Sequence, residues 1–147
     1  VNRLSDEDLI FNTFKNDKSY LVRELLVNRL SDEQLVFETF KNDKDEDVRF
    51  AVIDKLSDQN LIFNTFKNDK SWSIREFLVN SISDEQLIFD TFKNDKDVHV
   101  RVAVIDKLSD VQLIKTFEKD PVQDIRDMVT ENYLRWLHKT IQSFLML

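Results

Sequence analysis

Apolar residues in this chain recur at helical spacing, in two short stretches that together repeat every 26 residues. The apolar residues of the first stretch are Leu9, Ile10, Phe11 and Phe14. Those of the second stretch are Val22, Leu25, Leu26, Val27 and Leu30. At about 100° per residue, each set covers roughly half of a helix surface. We therefore predict two short helices per repeat, helix A and helix B, each flanked by neighbouring repeats.

The repeat is anchored by Leu-Ser-Asp or Ile-Ser-Asp. This motif starts at Leu4, Leu30, Leu56, Ile82 and Leu108. Residues 1–52 match residues 53–104 at 36 of 52 positions, so the unit last duplicated is a pair of repeats. A period of this length is typical of stacked helical arrays. We predict an all-α fold, a right-handed α-solenoid forming a single domain over 1–147. Its repeats span about 5–30, 31–56, 57–82, 83–108 and 109–131, with a C-terminal helix at about 122–147.

The helix ends carry recognisable signals in the second repeat. Ser31, with Gln34 three positions later, resembles a capping box and predicts a serine N-cap for helix A. The chain has no glycine, so Asn42 is the expected left-handed residue after this helix. Asp45 is the expected N-cap of helix B, as are Ser19 and Ser71 in odd repeats.

Composition limits the classes of partner. The net charge of −7 argues against nucleic acid and against anionic membranes. There is no cysteine for disulfides, and no apolar run reaches the ~18 residues of a membrane span. We expect a cytoplasmic protein. Because residues 1–4 match the end of a repeat, we also expect a fragment of a longer array, with end-to-end self-association as one outcome.

An arginine occupies the same place in every helix B. The column consists of Arg23, Arg49, Arg75, Arg101 and Arg126. A row of guanidinium groups could bind phosphates, but Arg23 falls inside the apolar arc of its helix. Because buried charges are paired, we expect Arg23 to bond to its own loop aspartate, Asp17, or to the next one, Asp43.

The string Asp-x4-Val/Ile-Arg occurs five times, starting at Asp17, Asp43, Asp69, Asp95 and Asp120. With Ala51-Val52 and Ala103-Val104 it resembles the second-helix signature of HEAT-like repeats, including the leucine-rich-variant and phycobilisome-lyase-type groups. The resemblance covers about 1–130, although these repeats are shorter than ordinary HEAT units. It implies a helical scaffold, since members of this group are mostly binding proteins and only some are enzymes.

Four positions of helix B vary while the rest is copied. They hold Tyr20, Glu46, Trp72, Val98; then Leu21, Asp47, Ser73, His99; then Glu24, Phe50, Glu76, Val102; then Asn28, Asp54, Asn80, Asp106. Aromatic residues among carboxylates suit a protein or peptide with basic and apolar groups. The alternative is that the aromatic rings only cover neighbouring apolar surface. We predict the partner-binding residues to be Tyr20, Glu24, Glu46, Phe50, Trp72, Glu76, His99 and Val102.

Catalytic chemistry is sparsely represented. The two histidines, His99 and His138, lie 39 residues apart, which disfavours a triad or a histidine-based metal site. The acidic segment from Asp43 to Asp47 resembles a calcium loop, but Val48 stands where the loop needs glycine. We predict no enzymatic activity, cofactor or metal. The alternatives are a HEAT-like enzyme or nucleic-acid-acting protein, and a structural spacer or engineered array.

The C-terminal segment departs from the repeat. From Val122 onward no helix breaker occurs, and apolar residues continue at helical spacing. We predict a longer amphipathic helix that covers the last repeat. Its apolar ending, Phe144 to Leu147, is expected either to fold back onto the repeats or to meet a partner or a second copy.

Overall fold

The computed structural model describes residues 6–146, and the regular structure of that part of the chain is entirely helical. The helices are α1 (Asp6–Phe14), α2 (Tyr20–Arg29), α3 (Glu33–Phe40), α4 (Glu46–Lys55), α5 (Gln59–Phe66), α6 (Trp72–Ser81), α7 (Glu85–Phe92), α8 (Val98–Lys107), α9 (Val111–Lys115) and α10 (Gln123–Leu145). A 3₁₀ helix, Thr116–Lys119, follows α9. Two helices per repeat, odd-numbered A and even-numbered B, confirm the predicted all-α class. The lengths agree with the short apolar periods of the sequence.

The chain divides into two compact units, Val1–Phe66 and Lys67–Leu147. In the first unit, α2 packs against α4, and each also contacts the A helix of its own repeat. In the second unit, α6 packs against α8, and α10 covers α8, α9 and the 3₁₀ helix. The α2/α4 and α6/α8 pairs are 52 residues apart in sequence, so the duplicated pair of repeats recurs as a packing unit. The single domain remains a prediction.

The predicted serine N-cap of helix A is wrong by one residue. The Asp32 side chain caps α3 by accepting a hydrogen bond from the Leu35 N–H at 2.9 Å. The preceding Ser31 instead donates its hydroxyl to the carboxylate of Glu7 in the previous repeat. The Ser-Asp sequence offers two adjacent residues that can cap the helix. Asp32 is the cap because the Ser31 hydroxyl is bound to the carboxylate of Glu7, 24 residues earlier. The predicted cap of helix B is confirmed in α4, where Asp45 accepts from the Asp47 N–H at 3.0 Å.

The serine–glutamate contact recurs between later repeats. Ser57 donates both its hydroxyl and its backbone N–H to Glu33, at 2.7 and 3.1 Å. Ser109 binds Glu85 in the same way. These hydrogen bonds stabilise the ionised carboxylate, and they lower the pKa of Glu33 and of Glu85 below the ordinary value. A first-turn glutamate thus ties each of these repeats to the next.

The predicted left-handed asparagine after helix A is also wrong. Helix α3 ends at Phe40, and Lys41 continues in the right-handed region at φ −53° and ψ −27°. The Asp43 N–H then returns to the Phe40 carbonyl at 2.9 Å. No residue of the described range has positive φ. Because a right-handed turn satisfies the helix end, the connection needs neither glycine nor a left-handed substitute.

The core is formed by inward residues of both helices in each repeat. Phe40, Phe66 and Phe92 are each only 1% exposed, and valines of helix B, such as Val27 and Val52, are fully buried. Leu9 and Phe14 of helix A are 59% and 41% exposed, and the predicted core residue Leu25 of helix B is 61% exposed. Its counterpart Ala51 is buried on the α2 side of α4. The same side of α2 has no neighbouring B helix in the described residues, so Leu25 stays in solvent.

Helix α1 has no buried residue, although its sequence resembles that of α7. Because protection against hydrogen exchange follows burial and neighbour contacts, we expect α1 amides to exchange at least about tenfold faster than those of α7. Native-state exchange read by mass spectrometry of peptides from both helices would measure the difference. Equal protection of the two helices would contradict this prediction.

Helix α10 has two halves of different character. Ile125 and Val129 are buried, and α10 contacts α9 and the 3₁₀ helix of the fifth repeat. Beyond Val129 no residue through 146 is buried, and the helix runs unbroken to Leu145. The described part of the apolar ending, Phe144 to Met146, therefore does not fold back onto the repeats. Among the described helices, none is long and apolar enough to cross a membrane.

Candidate functional site

The arginine column is engaged in structural pairs. Arg23 donates from Nε and Nη2 to the two carboxylate oxygens of Asp43, at 2.7 and 2.8 Å. Its Nη1 donates to the Asp17 carbonyl at 2.7 Å. Both aspartates named by the sequence are thus its partners, one through its carboxylate and one through its backbone. This is the two-pronged geometry in which guanidinium–carboxylate bonds are strongest.

The same arrangement recurs in the second unit. Arg75 binds Asp95 and the Asp69 carbonyl, and Arg101 binds Asp120. The side chains of Arg75 and Asp95 are only 4% and 8% exposed. Each pair joins helix B of one repeat to the loop of the next. With their donors occupied and their side chains buried, these arginines do not present a ladder to phosphates.

The carboxylates of these pairs are held ionised. Burial by itself raises the pKa of Asp43, Asp95 and Asp120. Hydrogen bonds from the arginine and from a backbone N–H two residues ahead, together with the arginine charge, outweigh burial, and the net pKa is lowered in all three. The aspartate hydrogen bond correspondingly raises the pKa of Arg23 and of Arg75. The pairs are therefore fixed charges.

The variable positions of helix B come together in the first unit. A groove of about 240 Å³ runs between α2 and α4. It is lined by Tyr20, Leu21, Glu24, Asn28, Asp47, Phe50, Ala51 and Asp54. Three of the predicted binding residues, Tyr20, Glu24 and Phe50, share this groove. All lining residues except Ala51 occupy the four positions that vary between copies.

The groove combines negative charge with aromatic surface. Its charged lining residues are the three carboxylates Glu24, Asp47 and Asp54, and no lysine or arginine lines it. Tyr20 is 38% exposed and Phe50 is half-buried, so their rings are accessible at its edge. A concave surface with several carboxylates and aromatic rings suits ligands that carry both cationic and apolar groups.

In the second unit, the positions that correspond to Tyr20 and Asp47 are occupied by Trp72 and His99. Trp72 of α6 stacks on His99 of α8, with ring centroids 4.6 Å apart and planes inclined by 26°. His99 Nδ1 also lies 3.0 Å from Asp97 Oδ1. Trp72 remains 41% exposed, so one predicted anchor is packed on another predicted site residue while part of its surface stays open.

The remaining predicted binding residues do not line the groove between α2 and α4. Glu46 is exposed on α4 and does not line the groove, while Glu76 and Val102 are half-buried on α6 and α8. The groove also uses residues that were not chosen as binding residues. These are Leu21, Asn28, Ala51, Asp47 and Asp54. All but Ala51 stand at positions that vary between copies, so variability between copies indicates them. The prediction missed them because it selected binding residues partly for aromatic character.

A larger cavity, of about 670 Å³, lies between the loops of the fourth and fifth repeats. Its lining includes Arg101 and Asp120, which are bonded to each other, and Phe117, which packs edge-on against Phe89. Lys93 covers the Phe89 ring at 4.6 Å. Arg101 and Asp120, the bonded pair in this cavity, thus hold the fourth and fifth repeats together.

Comparisons with models of protein families, with curated proteins and with solved structures found no match to this chain. The class that fold and groove define is an all-helical chain of repeated helix pairs with an acidic, aromatic-lined groove.

Proposed function

We propose that the groove between α2 and α4 binds a peptide or protein segment rich in basic and apolar side chains. The observation that carries this proposal is the lining itself, with Glu24, Asp47 and Asp54 around Tyr20 and Phe50 and no cation among them. Lysine or arginine of the ligand would face the carboxylates, and apolar side chains would contact the rings. The protein would act as a binding scaffold and not as an enzyme.

The distribution of repeated and variable residues supports a binding role. Residues that hold the repeats together, such as Arg23 and Asp43, return at the same places in other copies. The groove positions differ between neighbouring copies, and Tyr20, Leu21, Asp47 and Phe50 also differ from their counterparts 52 residues later. In repeat proteins, such positions allow one scaffold to present different surfaces. A uniform spacer has no need of this variation.

The groove charge also favours this proposal over the nucleic-acid alternative. Phosphate backbones are bound through lysine and arginine, whereas the groove lining is acidic. The arginines that could have formed a basic surface are bonded to aspartates, as with Arg75 and Asp95. We further propose that the chain is of the HEAT-like class, supported by the recurring Arg–Asp pair within each unit. The right-handed solenoid stays a prediction.

The test is a titration with a short fluorescein-labelled peptide of alternating lysine and leucine, followed by fluorescence anisotropy. The triple variant Glu24→Gln, Asp47→Asn, Asp54→Asn should weaken binding about tenfold, because each surface charge contributes up to about 1 kcal/mol. The same peptide with glutamate in place of lysine should not bind.

The matched control is the triple variant Asp8→Asn, Glu118→Gln, Glu131→Gln, which changes the net charge equally on exposed positions outside the groove. It should retain wild-type affinity. An equal loss in both triple variants would reduce the binding to general charge attraction and refute a groove-specific site. Absence of binding by the wild-type chain would favour the spacer alternative.

A further inference from the structure

The second half of α10 is the least covered helical surface in the described chain. We call residues 130–146 the C-terminal arm; none of them is buried. Phe144, Leu145 and Met146 are 79%, 82% and 89% exposed, more than any other large apolar side chain described. Helix propensity does not explain such residues, since polar ones would form an exposed helix equally well.

The arm has one apolar and one polar side. Apart from Met146, the apolar side chains fall within about half of the helix circumference at 100° per residue. They are Tyr133, Leu134, Trp136, Leu137, Ile141, Phe144 and Leu145. The rings of Tyr133 and Trp136 stack with centroids 5.7 Å apart, which makes the start of this face continuous. Arg135, Lys139 and Gln142 lie on the opposite side.

The size of the apolar side matches what a stable contact requires. These side chains together expose apolar surface on the order of 800 Å², which each partner contributes to a standard specific interface. Monomeric proteins rarely leave a contiguous apolar patch above about 600 Å² in water. A surface of this size is typical of an interaction site, and a second arm offers an apolar side of equal length.

The charge distribution favours a second copy over an anionic membrane. The chain carries −7, and residues 130–147 hold Arg135 and Lys139 against Glu131, a balance of +1. The remaining 129 residues therefore carry −8, since −7 minus +1 is −8. An anionic lipid surface repels such a chain. Between two copies, each arm carries only +1, so approach through the arms is opposed less than approach through the acidic remainder of the chain.

We propose that the C-terminal arm pairs with the same arm of a second copy, burying both apolar sides in a symmetric dimer. A two-fold contact uses the same surface on both partners, as a self-complementary apolar helix face allows. The contact involves other residues than the groove between α2 and α4, so it stands or falls independently of the proposed peptide binding.

Sedimentation equilibrium of the full chain over a concentration series tests the pairing. We expect a monomer–dimer equilibrium in the wild type and at least a hundredfold weaker association in the double variant Ile141→Asp, Phe144→Asp. Circular dichroism should show the helical content retained, because both side chains are exposed. The control Leu25→Asp, at another exposed apolar residue, should dimerise like the wild type.

The absence of native cysteine permits a second test that locates the contact. Thr140→Cys places a thiol on the apolar side of the arm, and Gln142→Cys places one on the polar side. Under mild oxidation the first variant should form a disulfide-linked dimer much faster than the second. Equal cross-linking at both positions would contradict pairing through the apolar side.

Three other results would overturn the proposal. One is a wild type that stays monomeric over the whole series. Another is dimerisation lost in Leu25→Asp but kept in the arm variant, which would indicate end-to-end contact through the first repeat. The third is a monomer whose arm binds phosphatidylcholine vesicles, detected by a blue shift of tryptophan emission that Trp72→Phe retains and Trp136→Phe abolishes.

Discussion

Asp95→Asn should be among the most destabilising single substitutions in this chain. It leaves the guanidinium of Arg75, whose side chain is 4% exposed, without its counter-charge. Removing one member of a buried ion pair typically costs about 3 kcal/mol, because the remaining charge stays desolvated. Asparagine keeps an oxygen that can accept the Asp97 N–H, which Asp95 accepts at 2.8 Å, so the effect reports on the charge pair.

Urea denaturation followed by circular dichroism would measure the loss. Asp90→Asn is the matched control, because Asp90 is 58% exposed and lies 4.0 Å from Lys93. Its loss should stay within about 0.5 kcal/mol. Arg75→Lys should also destabilise, since a single ammonium cannot replace the two-pronged bond. Similar stabilities for Asp95→Asn and Asp90→Asn would show that the buried pairs contribute little.

The second large effect is an acid-induced loss of stability. The pKa values of Asp43, Asp95 and Asp120 are lowered in the folded chain, so folding favours their ionised forms. That contribution is complete above the unfolded value of about 3.9 and is lost as the pH falls through the lower folded pKa values. The free energy of unfolding should therefore be nearly constant from neutral pH to about 5 and fall steeply below about 4.

Urea midpoints at successive pH values would give this profile. In the variant Asp95→Asn the curve should begin lower at neutral pH and fall less on acidification, because one of the carboxylates whose pKa is lowered by folding is gone. Asp90→Asn should reproduce the wild-type slope, because Asp90 is exposed and belongs to no buried ion pair. A slope unchanged in Asp95→Asn would mean that other carboxylates dominate the acid response.

The repeating part of the structure follows from the sequence to a large extent. The period predicts two helices per repeat, and the position of Arg23 within an apolar arc, with an aspartate that always accompanies it, predicts the Arg–Asp pairing. These features succeed because each is written several times in the chain. A spacing that recurs in several repeats is far better evidence for an interaction than a motif that occurs once.

Features decided by neighbouring repeats were predicted less well. Whether Ser31 or Asp32 caps α3 depends on Glu7 in the previous repeat, which competes for the serine hydroxyl. The exposure of Leu25 depends on which helix lies beside it, although its own sequence context resembles that of buried residues. The sequence identifies the variable positions of helix B, but which of them line one groove is decided by the facing of α2 and α4.

The short sequence separation between the partners of each Arg–Asp pair affects how quickly the chain folds. Arg23 and Asp43 are 20 residues apart, and Glu33 and Ser57 are 24 apart, so these ties close short loops. Short loops cost little chain entropy, and helical proteins with such local contacts fold in microseconds to milliseconds. During synthesis, the partner of each such arginine leaves the ribosome within seconds at about 5–20 residues per second. A newly made repeat thus waits only briefly with its guanidinium unpaired.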